Sequence, residues 1–366
     1  MKHTLFAFCV IVSLSQGYAQ STAQCSRALD EAEQAFEQGR LLYILDESAN
    51  RRFYECLEAG NYSIDEEIRA RKLLVKAYLF SDNEEEAEAA LVKLLNTDKE
   101  HPLTPEDPAE LYFLYSKFRT EPIVRVSGKL GMNKTAIFQL QEFNTSQVTG
   151  KEYNPNFSSG TNIWFELLAE RHITKGIEVA LGTQVRYTRY DMLGQLITND
   201  LTYEASNLST MLRIPLLVRY NVGYDAKKAN NERRKLIPYV FAGSSFDLLV
   251  NAKYEDTSRS GGTAVTLDDE NSSLSDLDQV AKQNVSLFFG GGFKLRVGRA
   301  QVNFLTAEFR YDNSLFNYIN PDNRWDNQRL AFEIGHVEDD LTINTYSFSF
   351  GYIHSLYAPR KRKQFR

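Results

Sequence analysis

The chain has 366 residues, 43% of them hydrophobic and 25% charged, with a formal net charge of −6. That length allows two domains, and the composition excludes a disordered chain or a bundle of membrane helices. Past the first two dozen residues no run of 18 apolar residues occurs, which argues against a transmembrane helix. The charge is unevenly spread: residues 25–119 carry 21 acidic and 12 basic side chains, residues 120–366 carry 27 and 29. An acidic N-terminal half argues against nucleic-acid binding.

Residues 1–19 read as an export signal. Lys2 and His3 precede the apolar run "LFAFCVIVSL" (5–14), and "GYAQ" (17–20) places small residues before a cleavage after Ala19. Cys9 leaves with that signal, so Cys25 and Cys56 remain as an even pair, and a disulfide is the expected state in an exported protein. The gap of 31 residues and the missing companions exclude a CxxC or zinc site.

Residues 25–119 predict a small acidic helical domain. "CSRALDEAEQAFEQG" (25–39) is one helix and "RLLYILDESANRRFYECLEAG" (40–60) a second, each ending in glycine. "SIDEEIRARKLLVKAYLF" (63–80) opens with Ser63 and Glu66 in a capping box. "NEEEAEAALVKLLN" (83–96) has Glu84, Glu85 and Glu86 in its first turn, where they favour the helix dipole. "EDPAELYFLYSKF" (106–118) offers Asp107 as cap and Pro108 at the first helical position. Tyr78, Ala87, Leu91 and Leu94 stand at spacings that resemble a tetratricopeptide (TPR) repeat, with an interval between units nearer 42 than 34. Cys25 opens the first helix and Cys56 closes the second, ends that an antiparallel pair sets side by side. Closing that loop contributes roughly 3 kcal/mol in the chain-entropy model.

Beyond residue 120 the apolar period changes to two. Stretches 123–132, 162–170, 177–187, 211–222, 239–254, 284–297, 304–311 and 346–357 all alternate. In "MLRIPLLVRYNV" (211–222), Leu212, Ile214, Leu216, Val218 and Tyr220 face Arg213, Pro215, Leu217 and Arg219 across the strand. Long polar stretches (134–161, 191–208, 255–283, 313–344) alternate with short ones ("RHITK", "GYDAKKANNERRK", "GRA"). Eight strands with that loop asymmetry behind an export signal predict an eight-stranded antiparallel outer-membrane β-barrel.

One face of the strands is apolar and the other carries both charge signs. Turning Arg213, Arg219, Lys294 and Arg296 toward hydrocarbon would cost roughly 2–4 kcal/mol each. The predicted interior is therefore a polar plug with no wide pore, in which Arg125, Lys129, Arg186, Arg213, Arg219, Lys294, Arg296 and Arg310 meet Glu166, Glu178, Asp247 and Glu308. Pro215 should force a bulge. Tyr187, Tyr190, Tyr220, Tyr254, Tyr311 and Tyr357 fall near strand ends, as interface girdles do. A soluble lipocalin-like barrel permits the same alternation, but the four long loops and outward aromatics disfavour it.

"RIPLLVRY" (213–220) and "AEFRYDNSLFNY" (307–318) resemble the PorT-like outer-membrane β-barrel family over about residues 120–357. The resemblance implies an outer-membrane barrel, and some members act in type IX secretion or gliding machinery. The helical extension departs from that family pattern.

Other chemistry is thin. "FGGGF" (289–293) lacks the lysine and helix of a phosphate loop and reads as close packing. "DDENSSLSDLD" (268–278) has the wrong spacing for an EF-hand. His336 lies near Glu338, Asp339 and Asp340, a sparse basis for a hydrolase at the outer rim. The tail "APRKRKQFR" (358–366) is basic and suits anionic headgroups or the acidic helical domain. The expected arrangement is α+β multidomain: signal peptide 1–19, a periplasmic TPR-like helical domain 25–119, a barrel 120–357 and the tail, with both termini periplasmic at the outer membrane of a diderm bacterium. It implies an anchored adaptor whose partners are outer-membrane lipid and a periplasmic protein bound by residues 25–119, with no cofactor, no metal and no catalysis. A rim hydrolase and a narrow pore are the alternatives.

Overall fold

The computed structural model describes residues 23–99, 101–120, 122–143, 156–174, 176–195, 202–223, 235–260, 265–266, 273–298 and 302–361. The export signal with Cys9, most of the turn at 223–235 and the end of the tail lie outside the described residues. The chain divides into two compact units, Met1–Ile123 with Gly298–Val302 and Tyr357–Arg366, and Val124–Val297 with Asn303–Leu356.

The first unit is helical. Its helices are α1 (23–37), α2 (Leu41–Leu45), α3 (Arg51–Glu58), α4 (Ile64–Phe80), α5 (Glu84–Thr97) and α6 (Ala109–Ser116). Small residues let α1, α4 and α5 approach closely: Ala28, Ala32, Ala35, Ala70, Ala77, Ala87 and Ala90 are buried with Leu29, Phe53, Leu91 and Leu94. The Cys25–Cys56 disulfide is formed, its Cα atoms 5.7 Å apart. The capping box is complete, for Ser63 accepts from the Glu66 amide and Glu66 accepts from the Ser63 amide.

Two helical expectations change. The helix expected over 40–60 is broken, because the Asp46 carboxylate accepts hydrogen bonds from the Ser48 amide and hydroxyl and closes a turn between α2 and α3. Asp107 does not cap α6. Its carboxylate instead takes the Thr104 amide at 2.8 Å and the ammonium groups of Lys72 and Lys76 at 2.7 and 2.9 Å.

The second unit is a closed ring. Its strands are β1 (Val124–Gln141), β2 (Asn156–Ser159), β3 (Thr161–Thr174), β4 (Ile177–Gln195), β5 (Thr202–Asn221), β6 (Leu236–Ser260), β7 (Val265–Thr266), β8 (Gln283–Val297), β9 (Asn303–Ser314) and β10 (Asp340–Leu356). Strands β1, β3, β4, β5, β6, β8, β9 and β10 pair in that order, all antiparallel, and β10 returns to β1 in register Val124↔Leu356. Closure leaves no sheet edge, so backbone groups find partners around the ring. β2 and β7 extend it at the long-loop end, pairing with β4 and β6.

Strands run further toward the long loops than the alternation alone indicated. Much of 134–141, 191–195, 202–208, 255–260 and 340–344 is strand rather than loop. Pro215 does not create a bulge at its own position. The β4–β5 ladder lacks partners only at Gly182–Thr183 against Ile214–Pro215 and resumes in the same register at Gln184↔Arg213. A glycine opposite the ring leaves it room. The β5–β6 register shifts instead between Glu204 and Ser206 and between Thr210 and Met211.

Candidate functional site

The outward face of the ring is apolar over about nine residues per strand. Val126, Leu130 and Met132 on β1, Ile163, Phe165 and Leu167 on β3, Leu216 and Val218 on β5, Phe289 and Phe293 on β8 and Phe348 and Phe350 on β10 are all exposed. Nine to eleven tilted residues cross a bilayer core. A continuous apolar belt of this size is stable against hydrocarbon and costly against water. Tyr187, Tyr220 and Tyr346 project outward near its edges, with Tyr311 packed 5.0 Å from Tyr346. Beyond the belt, outward positions become charged again: Arg189, Asp191, Lys253 and Glu255 form exposed or half-exposed pairs.

The opposite face fills the interior with ions. Among the described residues, seven cations (Arg125, Lys129, Arg186, Arg213, Arg219, Lys294, Arg310) and six carboxylates (Glu166, Glu170, Glu178, Asp247, Glu308, Asp312) are buried there. They form one connected chain. Glu178 binds Arg125, Lys294 and Arg219. Arg219 reaches Glu170 at 2.6 Å and Glu308 at 3.4 Å. Lys129 links Glu308 to Glu166 at 2.8 and 3.2 Å. Arg310 joins Glu166 to Asp312, each at 2.9 Å. Asp312 holds Arg213 at 2.8 Å and Arg186 at 3.0 Å, and Arg213 ends the chain on Asp247 at 2.6 Å.

Eleven of the twelve interior charges expected from sequence belong to this chain. The twelfth, Arg296, is half-buried at the short-turn end, its guanidinium 5.2 Å from the Phe304 ring. Glu170 and Asp312 complete the network and were absent from the expected set. Asp312 is the next inward position after Glu308 and Arg310, and the parity of β9 carried one step past Tyr311 identifies it.

Aromatic rings fill the space between the ions. Arg219 lies 4.8 Å from the Tyr239 ring and Arg310 3.6 Å from the Phe288 ring, while the Tyr239 hydroxyl donates to Glu308. Gly290 and Gly292 of "FGGGF" make that packing possible. A Cβ at Gly290 would sit 2.2 Å from the Phe309 carbonyl and 2.6 Å from the Phe241 ring. At Gly292 it would meet the Ala307 carbonyl at 2.3 Å and the Tyr239 ring at 3.0 Å.

Above the belt the interior changes character. Tyr190, Met192, Tyr203, Ala205, Ala252, Tyr254, Leu341 and Ile343 point inward from the strands and meet Leu274, Val280, Tyr318, Ile319, Leu330 and Ile334 from the loops. Tyr190 and Tyr254 are therefore core residues rather than girdle residues: Tyr190 shares the inward parity of Arg186, and Tyr254 is turned inward by the register shift of β6 opposite Thr210–Met211. Backbone bonds tie the loops down: Ala281 N–H donates to Tyr318 C=O at 2.8 Å and Tyr318 N–H to Leu341 C=O at 2.7 Å. Among the described residues this apolar plug occupies the long-loop end of the interior.

His336, Glu338 and Asp339 lie within it, each 1% exposed. The His336 ring is 4.9 Å from that of Tyr203, and its Nε2 is 3.9 Å from Glu338. Burial pushes the histidine down to about 3. Burial, reinforced by Asp339, pushes Glu338 up to about 8. Asp339 is raised to about 6, again by burial, although it accepts the Phe143 amide at 2.7 Å. The imidazole is thus neutral beside a protonated Glu338, and both side chains are shielded from solvent. Nearby, Ser273, Asp276, Leu277 and residues 326–329 line a surface cleft of about 290 Å³. Among the described residues no group of three His, Cys, Asp or Glu side chains is placed to hold a metal ion, and no helix is long and apolar enough to cross a membrane.

No family model matches the chain, and no curated protein matches it. Among solved structures it is similar to Neisserial surface protein A, at 14% identity over 64% of this chain and 97% of that one, with a TM-score of 0.30. It is similar to the outer membrane protein OprG from Pseudomonas aeruginosa at 10% identity, over 65% and 97%, with a TM-score of 0.34. It is similar to the translocator domain of the autotransporter NalP from Neisseria meningitidis at 10% identity, over 64% and 88%, with a TM-score of 0.26. At scores of this size the likeness transfers no family and no activity to this chain.

Proposed function

We propose that the protein is an outer-membrane-anchored adaptor: the barrel fixes it in the bilayer and the helical unit binds a partner protein on the periplasmic side. One observation carries this reading. Among the described residues the barrel interior is occupied by the ion network at belt level and by the apolar plug above it. That supports an anchor over a pore and leaves the helical unit as the part free to recognise something. Short turns at one end of the ring suit a periplasmic face, with the long loops outside. The resemblance of "RIPLLVRY" and "AEFRYDNSLFNY" to PorT-like barrels suits a place in a secretion or envelope assembly. The stacked α4–α5 pair suits TPR-like recognition by helices.

The test is cross-linking of the full-length protein in its own membrane, from photoreactive residues on α4 and α5, with planar-bilayer recordings alongside. The expected result is one recurrent protein adduct and no discrete conductance. Absence of any specific adduct, or reproducible single-channel steps, would overturn the adaptor reading.

A further inference from the structure

The C-terminal segment is seated on the acidic helical unit. The Lys361 ammonium pairs with Glu88 of α5 at 2.6 Å, and that carboxylate is largely covered. Arg119 N–H donates to the Arg360 carbonyl at 3.1 Å, and Phe118 and Lys361 form an antiparallel bridge. Lys99 lies 5.5 Å from the Tyr357 ring. The seat has two parts, a short stretch of extended backbone at 118–119 and a carboxylate face on α5.

That face has a built-in deficit. Glu84 and Glu88 stand one turn apart, where like charges repel. Lys117 neutralises Glu84 from within the unit. Glu88 is matched by Lys361. When the tail leaves, Glu88 keeps Glu84, Glu85 and Glu86 as neighbours on α5 and loses its ion-pair partner. The seat then offers carboxylates at one side and unpaired backbone groups at the other. An extended segment bearing lysine or arginine satisfies both, by strand addition and by charge.

We propose that this seat is the docking site for a basic, extended segment of a partner protein, and that the chain's own tail occupies it until the partner displaces it. The inference rests on the adaptor reading and names the chemistry of what the adaptor takes. A tethered tail competes at an effective concentration in the millimolar range, so a free peptide of the same sequence meets a site about tenfold less available if its own affinity is near 100 μM. The contact is ionic and its ammonium is exposed, so salt should weaken it.

The experiment uses a fluorescent peptide with the sequence of residues 358–366 and the full-length, detergent-purified protein. Three chains are compared: the native one, one ending at Tyr357, and full-length Lys361→Glu. The last keeps every residue of the barrel and serves if truncation impairs folding. Freed seats should bind the peptide about tenfold more tightly than the native chain. Adding Glu88→Lys to either variant should abolish that binding, and raised salt should reduce it. Equal binding by all three chains, no binding by any, or binding indifferent to Glu88→Lys would overturn the proposal. This readout needs no natural partner, so a failed cross-linking search and a failed competition are separate results.

Discussion

Arg219 shows what the interior demands of a single residue. It has no exposed surface and is shared by Glu170, Glu178 and Glu308. Arg219→Met keeps the volume and leaves those carboxylates short of a cation. Removing one partner of a buried ionic group costs about 3–5 kcal/mol. The urea midpoint of the detergent-solubilised barrel should fall accordingly. Arg189→Ala, which breaks an exposed pair with Asp191, should change it by less than about 1 kcal/mol. Glycines follow the same inward-outward logic. Gly290→Ala places a methyl against backbone and an aromatic ring and should impair folding, read as lost heat-modifiable gel mobility. Gly291→Ala faces outward, its nearest neighbour 3.3 Å away, and should fold. Parity along each strand made these assignments readable from sequence. It missed Asp312 because the alternation at 304–311 was ended at its last aromatic residue. It included Arg296 because parity says nothing about height, and that position lies at the ring's rim.

At the scale of elements, the two units respond to pH in opposite senses. Asp107 is the helical unit's acid-sensitive point. Burial raises its carboxyl, but hydrogen bonds from Lys72, Thr104 and Lys76 outweigh that and hold it well below the usual range. A depressed carboxylate stabilises the fold above its ordinary value of about 4 and loses that contribution as pH falls below it. Helical circular dichroism of Asp107→Asn should therefore show a lower melting temperature at neutral pH, with the gap to the native chain closing in acid. The plug behaves the other way. Glu338 is raised to about 8, so its contribution is complete below its ordinary range and drains away as pH rises toward 8. His336, lowered to about 3, opposes this only in acid, below its ordinary value of about 6.5. Amide exchange across residues 327–343 should speed up between about pH 5 and pH 8 beyond its intrinsic dependence. Glu338→Gln should flatten that excess, and an excess that survives the substitution would place the sensitivity elsewhere. These features were poorly legible beforehand. Capping boxes and glycine stops are local, so Ser63 with Glu66 could be read directly. The break at Asp46 and the ion pairs of Asp107 depend on side chains that compete for backbone and on helices distant in sequence. Tyr190 was legible, for it shares the parity of Arg186 on β4, whereas the inward turn of Tyr254 follows a one-residue slip of β6 at Val250–Asn251 that period-two alternation does not mark.

For the whole molecule, one physical inversion organises everything else. At belt level the ring is apolar outside and ionic inside; beyond it the ring is polar outside and apolar inside. On β4, β5 and β10 the same strand parity runs through both zones, while β6 slips by one residue at Val250–Asn251 and so turns Ala252 and Tyr254 inward; elsewhere the change lies in the residue types and in the surroundings they require. A soluble barrel would show the second arrangement along its full length, with its ions in water. Attaching nitroxide labels at Val218 and Phe289 in protein reconstituted into bilayers is the direct discriminator. Both labels should be accessible to oxygen and shielded from a water-soluble relaxation agent, with a label at Arg189 showing the reverse. Water-like accessibility at Val218 or Phe289 would contradict the account.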